Sequence, residues 1–315
     1  MSTDQPAPPT AVAPGHYRTD VLVIGAGVAG LYACVTLPDH LDVLVLDKGE
    51  PASGSSPLAQ GGMAVVVGGH DTPELHAADT TRAGDGLCDP AAVRVLTREA
   101  PEVTGHLLEL GARFDTSPVT TVSAQGTTDR PPALSDLHVA REGGQAVARS
   151  VHRADATGAE LVRVLRRAAR GRVRRLGGVA VSLACGADGR VRGAWALTDA
   201  GVALVQARAV LLATGGCGGL FAATTNRDHA TGDGLALAYL AGAAVRDTEF
   251  VQFHPTGLAI TGSWRLLLTE ALRGAGATLH DGEGTRFMPA RHPDAELAPR
   301  HVVAKAIIDQ PDGAW

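Results

Sequence analysis

Positive charge is not in excess in this sequence: 28 Lys and Arg stand against 33 Asp and Glu, a formal net charge of −5. Nucleic-acid phosphates are bound by clustered basic side chains, so this balance argues against a nucleic-acid partner and leaves small anions, met by locally placed arginines, as ligands to consider. Cysteine is sparse. Cys34, Cys88, Cys185 and Cys217 lie far apart with no C-x-x-C pair, which offers neither a zinc site nor a disulfide framework and suits a reducing cytoplasm. The Pro- and Ala-rich stretch Met1–Arg18 lacks the basic start and apolar centre of a secretory signal and is expected to be a disordered tail. Long apolar runs are missing too. The one uncharged stretch, Val21–Pro38, has 18 residues and three glycines in its middle, which reads as a strand, a turn and a buried helix written in succession rather than a membrane span.

What is present is 315 residues, 45% of them apolar, enough for about two domains at the usual ~100–200 residues each. Glycine (39) and proline (18) are plentiful but have no three-residue period, which points to many tight loops and excludes a collagen-like chain. A strand at Asp20–Ile24, a helix at Ala29–Leu37 and a strand at Asp42–Leu46 form a βαβ unit with a parallel sheet. Helical spacing runs from Leu75 to Leu110, with Asp89-Pro90 as cap and first-turn proline. Asp115–Asp136 has no periodicity and is expected to be a surface excursion near the site. Thr157–Arg170 reads as a helix. With Arg172, Arg174 and Arg175 it completes a run of arginines expected on a solvated face, a nucleotide or RNA contact being the alternative. Gly178–Ala213 alternates in three strands separated by Ala187-Asp188-Gly189 and Asp199-Ala200-Gly201, an antiparallel meander, and Thr231–Val245 reads as a small-residue helix.

The expected fold class is α/β, a doubly wound Rossmann-like domain with an antiparallel β-meander insert plus an incomplete α+β capping domain. The expected division is a tail at 1–18, a dinucleotide-binding domain at 19–246 and a truncated second domain of about 70 residues at 247–315, which stops inside the apolar pattern Val302–Ile308.

Gly25-Ala26-Gly27-Val28-Ala29-Gly30 follows the first strand and opens the first helix. In that context Gly25 makes the tight turn, Gly27 lets backbone approach a pyrophosphate, Gly30 lets helix meet strand, and the helix N-terminus supplies amide donors. Asp47, 22 residues after Gly25, stands where an acidic group accepts hydrogen bonds from the adenosine ribose. These features leave NAD and FAD undistinguished.

The loop Ser55-Ser56-Pro57-Leu58-Ala59-Gln60-Gly61-Gly62 separates the two by resemblance. Together with Ala213-Thr214-Gly215-Gly216, Thr224-Thr225-Asn226, Ala230-Thr231-Gly232-Asp233-Gly234 and Glu249-Phe250-Val251-Gln252-Phe253-His254-Pro255-Thr256, it resembles the succinate dehydrogenase, fumarate reductase and L-aspartate oxidase family of flavoproteins. The resemblance implies extended FAD, with Lys48, Ser56, Ala59, Gln60, Gly61, Gly62, Ala213, Thr214, Gly215 and Asp233 among its contacts; Asp233-Gly234 is expected to cap a helix. Ser55 stands where many members carry a histidine bonded covalently to the flavin, so non-covalent FAD is implied, as in the aspartate oxidases. Thr269-Glu270-Ala271-Leu272-Arg273-Gly274, Gly284-Thr285-Arg286-Phe287-Met288-Pro289, Leu297-Ala298-Pro299-Arg300 and Arg141-Glu142-Gly143-Gly144 also resemble that branch.

The resemblance implies that L-aspartate passes a hydride from Cα to the flavin and becomes iminoaspartate, with O2 or fumarate as final acceptor. The product would be handed to quinolinate synthase for NAD synthesis, with no nucleic acid or membrane involved. Arg300 would be the proton donor/acceptor, His254 and Thr269 would bind a substrate carboxylate, and Glu142 would lie near the amino group. A buried dicarboxylate has to be paired, and the planar fork of Arg suits it. The plain alternatives are a surface ion-paired Arg300, a core histidine at 254 and a solvated Glu142. Two departures stand out: Ala275 and His301 occupy positions where relatives commonly have acidic residues, which predicts that Arg273 or Arg300 is less firmly held. Other functional readings are a soluble fumarate reductase or succinate-oxidising relative, or a non-catalytic flavin-binding fragment.

Overall fold

A computed structural model describes residues 15–49, 53–117, 132–258 and 267–311. The elements are β1 (Gly15–Ile24), α1 (Val28–Thr36), β2 (Val43–Asp47), β3 (Met63–Ala64), α2 (Pro73–Ala83), α3 (Pro90–Glu109), β4 (Val139–Ala140), β5 (Ser150–Val151), α4 (Thr157–Ala169), β6 (Arg174–Gly177), β7 (Val179–Cys185), β8 (Val191–Thr198), β9 (Gly201–Leu212), α5 (Asp233–Leu240), α6 (Ala271–Gly274) and α7 (Arg300–Ile308). The α/β class expected from the sequence is the one found. Two compact units form: Met1–Ser53 with Ala169–Cys217 and His229–Arg246, and Gly54–Ala168 with Gly218–Asp228 and Asp247–Trp315. The first unit's last segment ends at Arg246 and the second unit's last segment begins at Asp247. The units are otherwise discontinuous, so Gly54–Ala168 groups with the C-terminal segment.

The first unit is built on a six-stranded sheet in the order β6-β2-β1-β9-β8-β7. β1 is parallel to β2 and to β9, while β7, β8 and β9 form the antiparallel meander. Because β1 is covered on both faces, its apolar residues are continuous: Leu22, Val23 and Ile24 are all buried. Leu22 and Ile24 join Leu44, Leu46, Ala194, Ala196, Val205 and Ala207 in one core cluster, onto which Ala180 and Leu183 of β7 also pack.

Three details correct the expectations. β1 begins at Gly15, which pairs with Ala203, so Gly15–Arg18 is strand rather than tail. The arginine run is not one solvated helix face. Arg174–Gly177 forms β6, the parallel edge partner of β2, with Arg174 forked onto Asp42 at 3.0 and 2.6 Å and Arg172 paired with Asp39. Charged side chains suit a sheet edge, where one side of the strand has no neighbour. The helix expected over Thr231–Val245 is confined to Asp233–Leu240.

In the second unit the Leu75–Leu110 pattern is two helices. Asp89 caps α3 through the Ala91 amide at 2.8 Å, with Pro90 in the first turn, and Thr72 caps α2 through the Leu75 amide at 3.1 Å. Much of the Asp115–Asp136 excursion lies outside the described residues. A small sheet β3-β5-β4 follows, and a separate core of Leu279, Phe287, Met288, Ala298, Val303 and Ala306 supports α7. Among the described residues no helix is long and apolar enough to cross a membrane.

Candidate active site

The first unit holds the expected dinucleotide residues at the carboxyl ends of its parallel strands. Gly25 has φ +108°, and a Cβ there would collide with the Ala213 carbonyl oxygen at the end of β9. A Cβ on Gly30 would strike the Gly25 carbonyl oxygen and crowd Val23, so this glycine lets α1 lie against β1. α1 begins after Gly27 with no side-chain cap and no acidic residue in its first turn, leaving its N-terminal dipole available to an anion. Asp47 ends β2 with Arg175 Nη2 3.4 Å from its carboxylate.

Lys48 and Asp233, 185 positions apart, meet in this unit: Lys48 Nζ donates to Asp233 Oδ2 at 2.6 Å and to Thr231 Oγ1 at 2.8 Å. Thr231 Oγ1 in turn donates to the other Asp233 oxygen at 2.6 Å. These donors hold the Asp233 carboxyl below the usual carboxylate range although burial opposes the shift. Asp233 is therefore the first residue of α5, committed to Lys48, and not its cap; Gly232 occupies the cap position.

The second unit carries the remaining residues. Ser55 Oγ donates to Asn226 Oδ1 at 3.1 Å, and Ser56–Leu58 is a 3-10 turn. The Gln60 side-chain oxygen is buried with no hydrogen-bond partner among the described residues. Such a group is costly unless something donates to it. The Gly62 amide donates to Glu142 Oε1 at 3.3 Å.

Arg300 begins α7, and its Nε donates to Glu270 Oε2 at 2.6 Å while Nη1 donates to Gln252 Oε1 at 2.9 Å. Glu270 is buried, and its other oxygen accepts the Gly143 amide at 3.2 Å. Glu270 thus does for Arg300 what the replaced acidic neighbours were expected to do, and Arg300 is firmly held. Arg273 is buried, donating from Nη1 to the Glu296 carbonyl at 2.8 Å, with Nε and Nη2 lacking hydrogen-bond partners among the described residues. Burial lowers its pKa.

His254 accepts the Thr256 amide on Nδ1 at 3.2 Å, which leaves its proton on Nε2. Burial, then the charges of Arg300 and Arg273, push its pKa down to about 4, so it is a neutral donor at neutral pH. Thr269 Oγ1 accepts the Ala271 amide at 3.4 Å at the entry to α6. Sequence reasoning assigned no role to Glu270 or Gln252. Both stood inside quoted motifs, but only the folded chain brings them to Arg300.

The family described as FAD binding domain matches residues 20–314. The chain belongs to that family. FAD is accordingly its cofactor, and within the first unit the uncapped α1, the glycine turn at Gly25 and the Lys48–Asp233 pair fit such a group. The chain is 45% identical to the L-aspartate oxidase of Streptomyces coelicolor over 96% of its own length and 51% of the relative's. It is 41% identical to the L-aspartate oxidase of a Synechocystis species over 93% and 51%. It therefore spans about half the length of the curated relatives it matches. Among solved structures, it resembles a quinol fumarate reductase FrdA variant of E. coli, with a TM-score of 0.83, 28% identity and coverage of 95% of this chain and 53% of that one. The Mycobacterium smegmatis Sdh1 complex with UQ1 matches with a TM-score of 0.76, 33% identity and coverage of 93% and 50%.

Proposed function

We propose that this FAD-binding chain takes part in the oxidation of L-aspartate to iminoaspartate. The observation that supports this best is the grouping in one unit of Arg300, held by Glu270 and Gln252, with neutral His254 and with Glu142, whose carboxylate accepts the Gly62 amide at 3.3 Å. A dicarboxylate needs cationic and neutral donors, which Arg300, His254 Nε2–H and Thr269 supply, and its ammonium needs an anion, which Glu142 supplies. Oxidation removes a hydride from Cα and a proton from the ammonium as the C=N bond forms. Bound FAD supplies the two-electron acceptor. Arg300 binds and orients the substrate beside the reacting carbon and is the group placed to move a proton there.

Ser55 in place of a flavin-linking histidine supports non-covalent FAD. In this reading the electrons pass on to O2 or fumarate, the product goes to quinolinate synthase for NAD synthesis, and the protein works in the cytoplasm. The likeness to fumarate reductase favours a second reading, reduction of fumarate or oxidation of succinate at the same arginine. Hydrogen peroxide release from L-aspartate, measured beside succinate oxidation and fumarate reduction in one FAD-loaded preparation, separates the readings. Activity on succinate and none on aspartate would overturn the first.

A further inference from the structure

The Glu142 carboxylate is lightly held. Its Oε1 accepts one hydrogen bond of 3.3 Å from Gly62, and its other oxygen has no partner among the described residues. Its position is therefore set by the backbone turn that carries it. That turn closes on itself: Gln145 Oε1 accepts the Glu142 amide at 3.0 Å, Gln145 N donates to the Glu142 carbonyl at 3.2 Å, and Gln145 Nε2 donates to Ser150 Oγ at 2.9 Å. Its far end is gripped by α2. Asp79 Oδ2 accepts the Ala146 amide at 2.7 Å, and Arg82, paired with the other Asp79 oxygen, donates from Nη2 to the Gly144 carbonyl at 3.1 Å.

The grip is anchored in turn. Asp79 is buried, and Arg149, only 1% exposed, donates to it from Nη1 at 2.7 Å and forks onto Asp71 at 3.0 and 2.9 Å. A buried arginine between two carboxylates fixes the direction of all three side chains.

We propose that Asp79 and Arg82 are positioning residues that hold the Glu142 turn so that the site prefers an amino dicarboxylate over the same dicarboxylate without its ammonium. This rests on the reading of Glu142 given under Proposed function. A carboxylate meant to pair with an ammonium has to be held in place by its surroundings, and here α2 holds the 144–146 side of the turn while Glu270 holds the Gly143 amide.

The test uses the FAD-loaded chain, with flavin absorbance reporting titration by L-aspartate and, separately, succinate. Arg82→Gln leaves the buried Arg149–Asp79 pair intact and should raise the L-aspartate Kd about tenfold while moving the succinate Kd less than about twofold. Amide exchange across residues 142–146 should speed up in the same variant, with the α7 core unchanged. Asp79→Asn, if it folds, should do both more strongly. Equal weakening of both acids, or unchanged exchange in the turn, would overturn the proposal. So would faster exchange with no loss of preference when Glu142→Gln does lose it. If Glu142→Gln itself leaves the preference intact, or neither acid perturbs the flavin, the underlying assignment of Glu142 and the substrate fails, and the inference with it.

Discussion

Glu270 joins Arg300 to Gly143: one carboxylate oxygen takes the Arg300 Nε proton at 2.6 Å and the other takes the Gly143 amide at 3.2 Å. The arginine on α7 and the turn beside Glu142 therefore share one buried anchor. Glu270→Gln keeps the shape but weakens the charge-assisted bond to Arg300. Under the proposed reaction it should lower turnover about tenfold or more, with a smaller change in KM, whereas Arg300→Leu should lower it by at least about a hundredfold. Near-normal peroxide release from Arg300→Leu would remove that residue from the chemistry.

Ser55 has no group that bonds to a flavin ring. Acid precipitation of the yellow protein should leave the flavin in the supernatant. Colour retained in a washed pellet would show a covalent link and contradict the non-covalent reading.

Gly30 has no room for a methyl group, because the Gly25 carbonyl oxygen lies where its Cβ would be. Gly30→Ala should push α1 from β1, cost roughly 2 kcal/mol or more of stability by overpacking, and weaken FAD binding. Urea unfolding and fluorescence titration with FAD measure both. Unaltered affinity would mean that the glycine turn does not grip the cofactor.

His254 is held neutral by burial and by its arginine neighbours, with a pKa of about 4. Its ordinary pKa is the higher one, so the unfolded chain binds the proton first as pH falls. His254 therefore contributes no pH dependence above about 6.5 and lowers stability as pH drops from there towards 4. Dicarboxylate affinity should show no inflection near 6.5 that His254→Gln removes; such an inflection would mean that the histidine is protonated in the site.

Glu296 is buried and accepts Arg286 at 2.9 and 2.6 Å, together with the Leu279 amide at 3.1 Å. The Arg286 hydrogen bonds, above all, hold its pKa down at about 2. Its folded value lies below the unfolded one, so its stabilisation is complete above about pH 4.5 and is lost as pH falls from there towards 2. Glu296→Gln should remove roughly 2 kcal/mol at pH 7 and much less at pH 3. Thermal melts at the two pH values test this, and an equal loss at both would refute the ionic account.

The βαβ opening was legible because its signals are local: an apolar strand long enough to be buried on both faces, glycines where the backbone turns, and Asp89-Pro90 at the start of α3. β6 was not legible. Its four residues begin with two arginines, and only pairing with β2 makes them a strand. The helix of Thr231–Val245 was overextended because small apolar residues carry no stop signal of their own.

From the sequence alone came the residue types the site needs and the glycines that admit a dinucleotide, since these depend on neighbours a few positions away. Which side chains meet was decided by tertiary structure: Lys48 with Asp233, Glu270 with Arg300, Asp79 with the Ala146 amide. Each of these contacts joins residues at least 30 positions apart. No local periodicity encodes such a meeting, and it exists only once burial makes an unpaired charge costly and the fold brings its partner within hydrogen-bonding distance.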